Sequence, residues 1–236
     1  MRVRCLGTFA LRADGEWTSG PAFRRGREVL QYFVSYPRAA ASRDVLIGIF
    51  WPTLDVQTAA HRLHIAVAGA RAAIRELCPE VDGLRCAGSA YGWNSVVRID
   101  CDVDHLLAAS RSRSLDAMKE AAALYAGEYL AGEDAEWMYP LRLRCANAYA
   151  TILERLSESA MGREDYLEAL DYGLRLLETD RAHEGATELV MRSFAASGRR
   201  GAALAAYDAL AAYLQHHLAL KPCARMNQLR NSIIDG

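Results

Sequence analysis

ASRDVLIGIFWPTLDVQTAAHRLHIAVAGARAAI, residues Ala41 to Ile74, holds two helical patterns separated by a Trp-Pro break. Ser42 stands before the first apolar run as an N-cap, because its hydroxyl can accept from an orphan N–H of the first turn. Behind it Val45, Leu46, Ile49 and Phe50 recur at helical spacing, so the pattern predicts a short helix with these four inward. Trp51-Pro52 ends that helix, since proline lacks an N–H and biases the preceding residue away from helical backbone. Asp55 is a second N-cap. After it Ala59, Leu63, Ala66, Val67, Ala70 and Ile74 form the inner stripe of a long second helix. Setting Leu63 inward turns Gln57, His61, Ile65, Ala68, Ala72 and Arg75 outward, with Thr58, Arg62, His64 and Arg71 on the flanks. A short helix, a tight turn and a long helix with a free outer face make a helix-turn-helix, and that shape points to DNA.

The flanking sequence extends this to a winged helix. Val3, Cys5, Phe9 and Leu11 alternate with Arg2, Arg4, Thr8 and Arg12, and Asp14-Gly15 offers a tight turn before Glu16-Trp17-Thr18, so a small antiparallel sheet is expected first. Arg24 to Tyr36 reads as a helix with Val29, Leu30, Phe33 and Val34 inward, stopped at Pro37. Leu84-Arg85-Cys86 and GSAYGWNSVVRI, Gly88 to Ile99, read as short strands around glycine turns that close the domain with a hairpin wing.

From about Asp104 the pattern turns helical. Leu106–Ser110, Leu115–Tyr125, Leu141–Ala160, Tyr166–Thr179, Glu184–Ser197 and Gly201–Leu218 each show helical apolar spacing. GREDYLEALDYGLRLL (Gly162 to Leu177) recurs as GRRGAALAAYDALAAYL (Gly198 to Leu214), with Ala169-Leu170 matching Ala203-Leu204 at the 34-residue tetratricopeptide period. Small Ala residues at the inner corners would let paired helices approach. With fewer than three clean copies, Leu141–Ala160 and the tail around Met226, Leu229 and Ile233 are expected to cap the array.

Charge divides the chain at the same place. Residues 1–100 carry 13 Arg against nine Asp or Glu, net +4, whereas residues 101–236 carry 15 Lys or Arg against 20 Asp or Glu, net −5. A modestly basic domain over about 1–100 and an acidic one over about 101–236 fit a DNA reader joined to a protein-binding module. The six cysteines include no C-x-x-C pair, so neither a zinc site nor a disulfide framework is expected. Asp100, Asp102 and Asp104 alternate like a calcium loop, but the glycine and bidentate Glu such a loop requires are missing. His61 and His64 have zinc-pair spacing without a third ligand nearby. No phosphate loop, nucleophile elbow or H-E-x-x-H motif occurs, and no apolar run would span a bilayer. A non-enzymatic cytoplasmic protein without cofactor or metal is the expectation.

LGTFAL (Leu6 to Leu11), RRGREVLQYFVSYP (Arg24 to Pro37), SRDVLIGIFWPTLD (Ser42 to Asp55), AAHRLHIAV, LYAGEYLAGEDAEW (Leu124 to Trp137), GREDYLEALDYGLRLLETD (Gly162 to Asp180) and AYDALAAYLQHHLALKP (Ala206 to Pro222) together resemble the Streptomyces antibiotic regulatory protein family. The resemblance covers nearly the whole chain. It implies a mainly α fold with a small β component: a response-regulator-type winged helix followed by an all-α, tetratricopeptide-like bacterial transcriptional activator domain. It also implies a bacterial transcriptional activator that binds double-stranded promoter DNA as a homodimer and contacts RNA polymerase. Gly69 and Ala72 stand where that family places Arg. On the DNA reading, the N-terminal half of the long helix enters the major groove, where Gln57, Thr58, His61, Arg62 and His64 reach bases or phosphates. Arg24, Arg25, Arg43, Arg71 and Arg98, the last expected on the wing, add phosphate contacts. The rival reading is a protein-interaction module whose winged helix has lost DNA binding.

Overall fold

The computed structural model describes residues 1–37, 39–94 and 96–235; Ser95, inside the expected closing strands, lies outside them. The chain forms two compact units, Met1–Leu107 with Leu124–Cys145, and Ala108–Ala123 with Ala146–Gly236.

In the first unit the elements run β1 (Arg2–Arg4), β2 (Ala10–Arg12), α1 (Arg24–Ser35), β3 (Ala41–Ser42), α2 (Arg43–Phe50), α3 (Val56–Leu77), β4 (Leu84–Ala87), β5 (Ala90–Trp93), β6 (Asp100–Cys101) and the start of α4 (Asp102–Ala109). β1 pairs antiparallel with β2, Val3 opposite Leu11, and parallel with β6, Val3 opposite Cys101. The period-two alternation puts Val3, Cys5 and Leu11 into the core and leaves Arg2 and Arg4 exposed. Past Asp14-Gly15 the chain returns to exchange backbone hydrogen bonds between Leu11 and Thr18, at 2.8 and 2.9 Å. A second sheet, β3-β5-β4, carries the hairpin wing, whose turn is Gly88-Ser89.

α1 buries Val29, Leu30, Phe33 and Val34 and packs on α3, whose whole inner stripe from Ala59 to Ile74 is buried. α2 departs from expectation. Only Leu46 and Phe50 are buried, Ile49 is half-buried, and Val45 is 49% exposed. In an eight-residue helix one i, i+4 pair fills the inner face, and Val45, one residue before Leu46, is turned about 100° away.

The segment Leu124–Cys145 folds back into this unit through backbone pairing. Leu130 N–H donates to the Cys5 carbonyl at 2.7 Å, Gly7 N–H to Glu128 at 3.0 Å, and Ala131 N–H to Gly7 at 3.0 Å. Gly7 has φ +105°, and a Cβ there would lie 3.3 Å from that of Ala126, so both backbone angle and space require glycine. Tyr129 is buried with its hydroxyl on Ser35, and Trp137 meets Tyr32 and Phe50 edge-on.

The second unit holds the rest of α4, α5 (Leu115–Leu124), most of α6 (Tyr139–Gly162), α7 (Tyr166–Thr179), α8 (Glu184–Ala196), α9 (Arg200–Tyr213) and α10 (Ala224–Asp235). α7 and α9 begin at Tyr166 and Arg200 and end at Thr179 and Tyr213, the 34-residue offset at both ends. Ala169 and Ala203 are fully buried, and α8 packs against both α7 and α9. The expected tail cap is α10, which contributes Met226 and Ile233 to the apolar cluster around Met191, Ala203, Leu210 and Leu214. The fold is mainly α with a small β component, a winged helix followed by a tetratricopeptide-like array.

Candidate nucleic-acid interface

The two caps set the geometry of the helix-turn-helix. The Ser42 hydroxyl accepts from Val45 N–H at 3.2 Å and starts α2. The Asp55 carboxylate accepts from Thr58 N–H at 2.9 Å and starts α3, and this bonding holds Asp55 below the usual carboxylate range. Between them Trp51 is buried as the anchor of the turn, while Pro52 is exposed.

The outer face of α3 is open. Gln57, Thr58, His61, Arg62, His64, Ile65, Ala68, Ala72 and Arg75 are all exposed. The Thr58 hydroxyl also bonds Asp55, so Thr58 serves the cap. Gln57, His61, Arg62 and His64 bond no other side chain among the described residues. Asp55, the acid nearest them in sequence, is committed to the cap, so this half of α3 presents cationic and amide donors to solvent.

The remaining candidate cations divide by what they touch. Arg24 Nε lies 2.7 Å from Glu28 Oε1, and Arg25 Nη1 holds the other oxygen, so both guanidiniums neutralise one buried carboxylate. Each still has an exposed side, and Arg25 lies 5.9 Å from the Trp51 ring, next to the turn. Arg43 opens α2 with an exposed side chain, and its N–H donates to the Ser89 carbonyl at 2.8 Å, which brings it beside the wing turn. Arg71 is half-buried and donates from Nε to the Leu84 carbonyl at 2.7 Å, so it braces α3 against the base of the wing. Arg98 is not on the wing. It is exposed between β5 and β6, where its carbonyl accepts from the Met1 amino group at 3.0 Å. The cation of the wing is Arg85, exposed on β4 and absent from the sequence candidates although it stood in the quoted strand.

Gly69 has a packing role. A Cβ there would come within 2.3 Å of the Phe23 ring, and one at Gly26 within 2.6 Å, so the ring occupies a notch between α1 and α3. An arginine at position 69 would have to evict Phe23.

Cys5, Cys101 and Asp102 form a buried group whose ligand atoms lie within 4.8 Å of one another. Asp102 is fully engaged, accepting from the backbone N–H groups of Cys5 and Leu6 at 2.9–3.0 Å. Burial raises its pKa, the hydrogen bond with Cys101 and burial push the Cys5 thiol well up, and burial pushes Cys145 up to about 12. With both carboxylate oxygens spent on the N–H donors of Cys5 and Leu6, Asp102 pins β1 to the start of α4.

The family described as bacterial transcriptional activator domain matches residues 100–234. No curated protein matches the sequence significantly. Among solved structures, Mycobacterium tuberculosis EmbR, determined in complex with a low-affinity phosphopeptide, superposes with a TM-score of 0.79 at 18% identity. That match covers 99% of this chain and 65% of the EmbR chain. No helix among the described residues is long and apolar enough to cross a membrane. The chain belongs to the bacterial transcriptional activator domain family.

Proposed function

We propose that this protein is a regulator of transcription that reads promoter DNA in the cytoplasm with the N-terminal half of α3, which enters the major groove of double-stranded DNA. On this reading residues of about 1–100 form the DNA module, and residues of about 101–236 form the helical module that contacts RNA polymerase as an activator. The observation that carries it is the contrast across α3: its inner stripe is buried, while Gln57, His61, Arg62 and His64 stand exposed and uncommitted on the outer face. Arg43 and Arg85 would grip phosphates from the α2 start and the wing, Arg24 and Arg25 with their free sides, and a homodimer would span repeated half-sites. Arg71 and Thr58 serve the fold first. No catalytic role is assigned to any residue.

The test is selection of bound fragments from random DNA, followed by titration of the winning sequence with wild type and Arg62→Ala. Arg62→Ala is expected to weaken binding and, as a phosphate contact, to lower the salt slope by about one unit. Equal binding by the variant removes Arg62 from the interface. The apolar strip of Ile65, Ala68 and Ala72 beside these donors favours one rival, a winged helix that binds protein. Failure to enrich any DNA sequence would decide for it.

A further inference from the structure

The second unit contains a half-open cavity of about 440 Å³ between α7, α8 and α9. Its apolar lining includes Val190, Phe194 and Leu210 together with the methyl stripe Ala202, Ala206 and Ala209 along α9. The 34-residue repeat explains why this space exists. The positions 34 residues earlier on α7 are Glu168, Tyr172 and Arg175. There Glu168 holds Lys119 of α5, and Arg175 reaches the Ala122 carbonyl of α5 and the Tyr149 hydroxyl of α6. The first copy therefore fills its own groove with long polar side chains. In the second copy three methyl groups replace them, and the corresponding volume stays open.

At this cavity stands Arg181, an exposed cation that forms no ion pair with any described residue. Its acidic neighbour Asp180 is occupied by the Ala182 N–H at 2.8 Å. The other polar groups in the lining are Thr187 and Tyr213. A pocket of this size, apolar inside with one free guanidinium, has the make-up of a small-molecule site. We propose that it binds a small carboxylic acid with an extended apolar body, the chain lying against the alanine stripe and the carboxylate on Arg181. The guanidinium fork suits a carboxylate bidentately. This site is independent of the DNA reading, and its failure would leave that reading intact.

Titration calorimetry on the full chain, with decanoate below its micelle concentration and 1-decanol as the uncharged match, tests the proposal. Saturable one-to-one binding of decanoate is expected. Arg181→Gln, a surface change, should weaken decanoate about tenfold, the loss of a charge-assisted contact, and leave 1-decanol unchanged. Ala206→Phe should abolish binding of both by filling the cavity. A diazirine-bearing decanoate should label peptides of α7, α8 or α9 in the wild-type protein, a result that does not depend on any variant folding. Absence of saturable binding, an Arg181→Gln protein with unchanged decanoate affinity, or label confined to other peptides each overturns the assignment.

Discussion

α7 and α9 are two copies of one helix in the same array, and they spend their equivalent faces in opposite ways. Both bury an alanine at the inner corner, Ala169 and Ala203. On the adjoining stripe α7 carries Glu168 and Arg175, which bond to α5 and α6, and Tyr172, whose hydroxyl donates to Glu168. The same stripe of α9 carries Ala202, Ala206 and Ala209, which bond nothing and line a cavity. The repeat thus conserves what two helices need in order to approach and leaves free what the groove between successive hairpins contains. Corner positions set the fold; stripe positions set what the groove is for.

The corner half of this comparison breaks most easily. Ala169→Leu and Ala203→Leu each force extra methylenes into a filled contact, where overpacking costs about 1–3 kcal/mol. Both variants should melt lower by similar amounts in thermal unfolding. If Ala203→Leu melts with the wild type, position 203 is not a close helix contact and the repeat alignment fails. A variant that melts lower yet fully activates a promoter in cells would keep the fold argument and remove support for this array as the activating surface.

The stripe half predicts opposite signs in the two copies. Arg175→Ala strips the Ala122 carbonyl and the Tyr149 hydroxyl of a charged donor, a loss of about 1.5–3 kcal/mol by the usual value of such bonds. Ala206→Phe, at the position matching Tyr172, buries apolar area in an existing hole and should gain up to about 1 kcal/mol. Denaturant unfolding of the two variants reads both signs. Destabilisation by Ala206→Phe would mean that the groove of the second copy is too narrow for the side chain the first copy accepts.

Local chemistry explains what was legible beforehand. Ser42 and Asp55 cap the expected helices, because a cap is written within four residues. The inner stripe of α3 and the 34-residue offset followed from periodicity alone. What escaped notice depends on distant partners. Nothing near Leu130 announces that its N–H pairs with Cys5, so the place of Leu124–Cys145 in the first unit was not readable. Gly69 stands where the resembled family places Arg, and the reason a side chain is absent there is Phe23, 46 positions earlier, whose ring a Cβ would meet. In the candidate interface, exposure of Gln57, His61, Arg62 and His64 followed the helical wheel, whereas the use of Arg71 as a brace and the position of Arg98 off the wing rest on contacts that no wheel contains. Val45 was misplaced because a short helix has room for one buried pair, and spacing alone does not say which.

The smallest expected effect concerns Glu168, the most connected member of the α7 stripe. Its carboxylate meets Lys119 Nζ at 2.7 Å, Arg163 Nη2, and the Tyr172 hydroxyl at 3.1 Å. The Lys119 hydrogen bond is the first cause of a pKa held below the ordinary 4.5. A carboxyl depressed in the folded state contributes stability that is present above its unfolded pKa and is lost as pH falls through the folded one. The unfolded chain takes up the proton more readily, so acid draws the equilibrium toward it. Glu168→Gln should therefore lower the melting temperature near pH 7 by roughly 1–2 °C, the range of a largely solvent-screened ion pair. The difference should shrink as pH drops from about 5 toward 3, and 1 M salt at pH 7 should shrink it as well. The matching α9 substitution, Ala202→Gln, has no such partner to lose and should show no pH-dependent difference from wild type over that range. A gap between Glu168→Gln and wild type that persists unchanged at pH 3 would show that Glu168 acts through packing and not through its charge, and the electrostatic contrast between the two copies would fall with it.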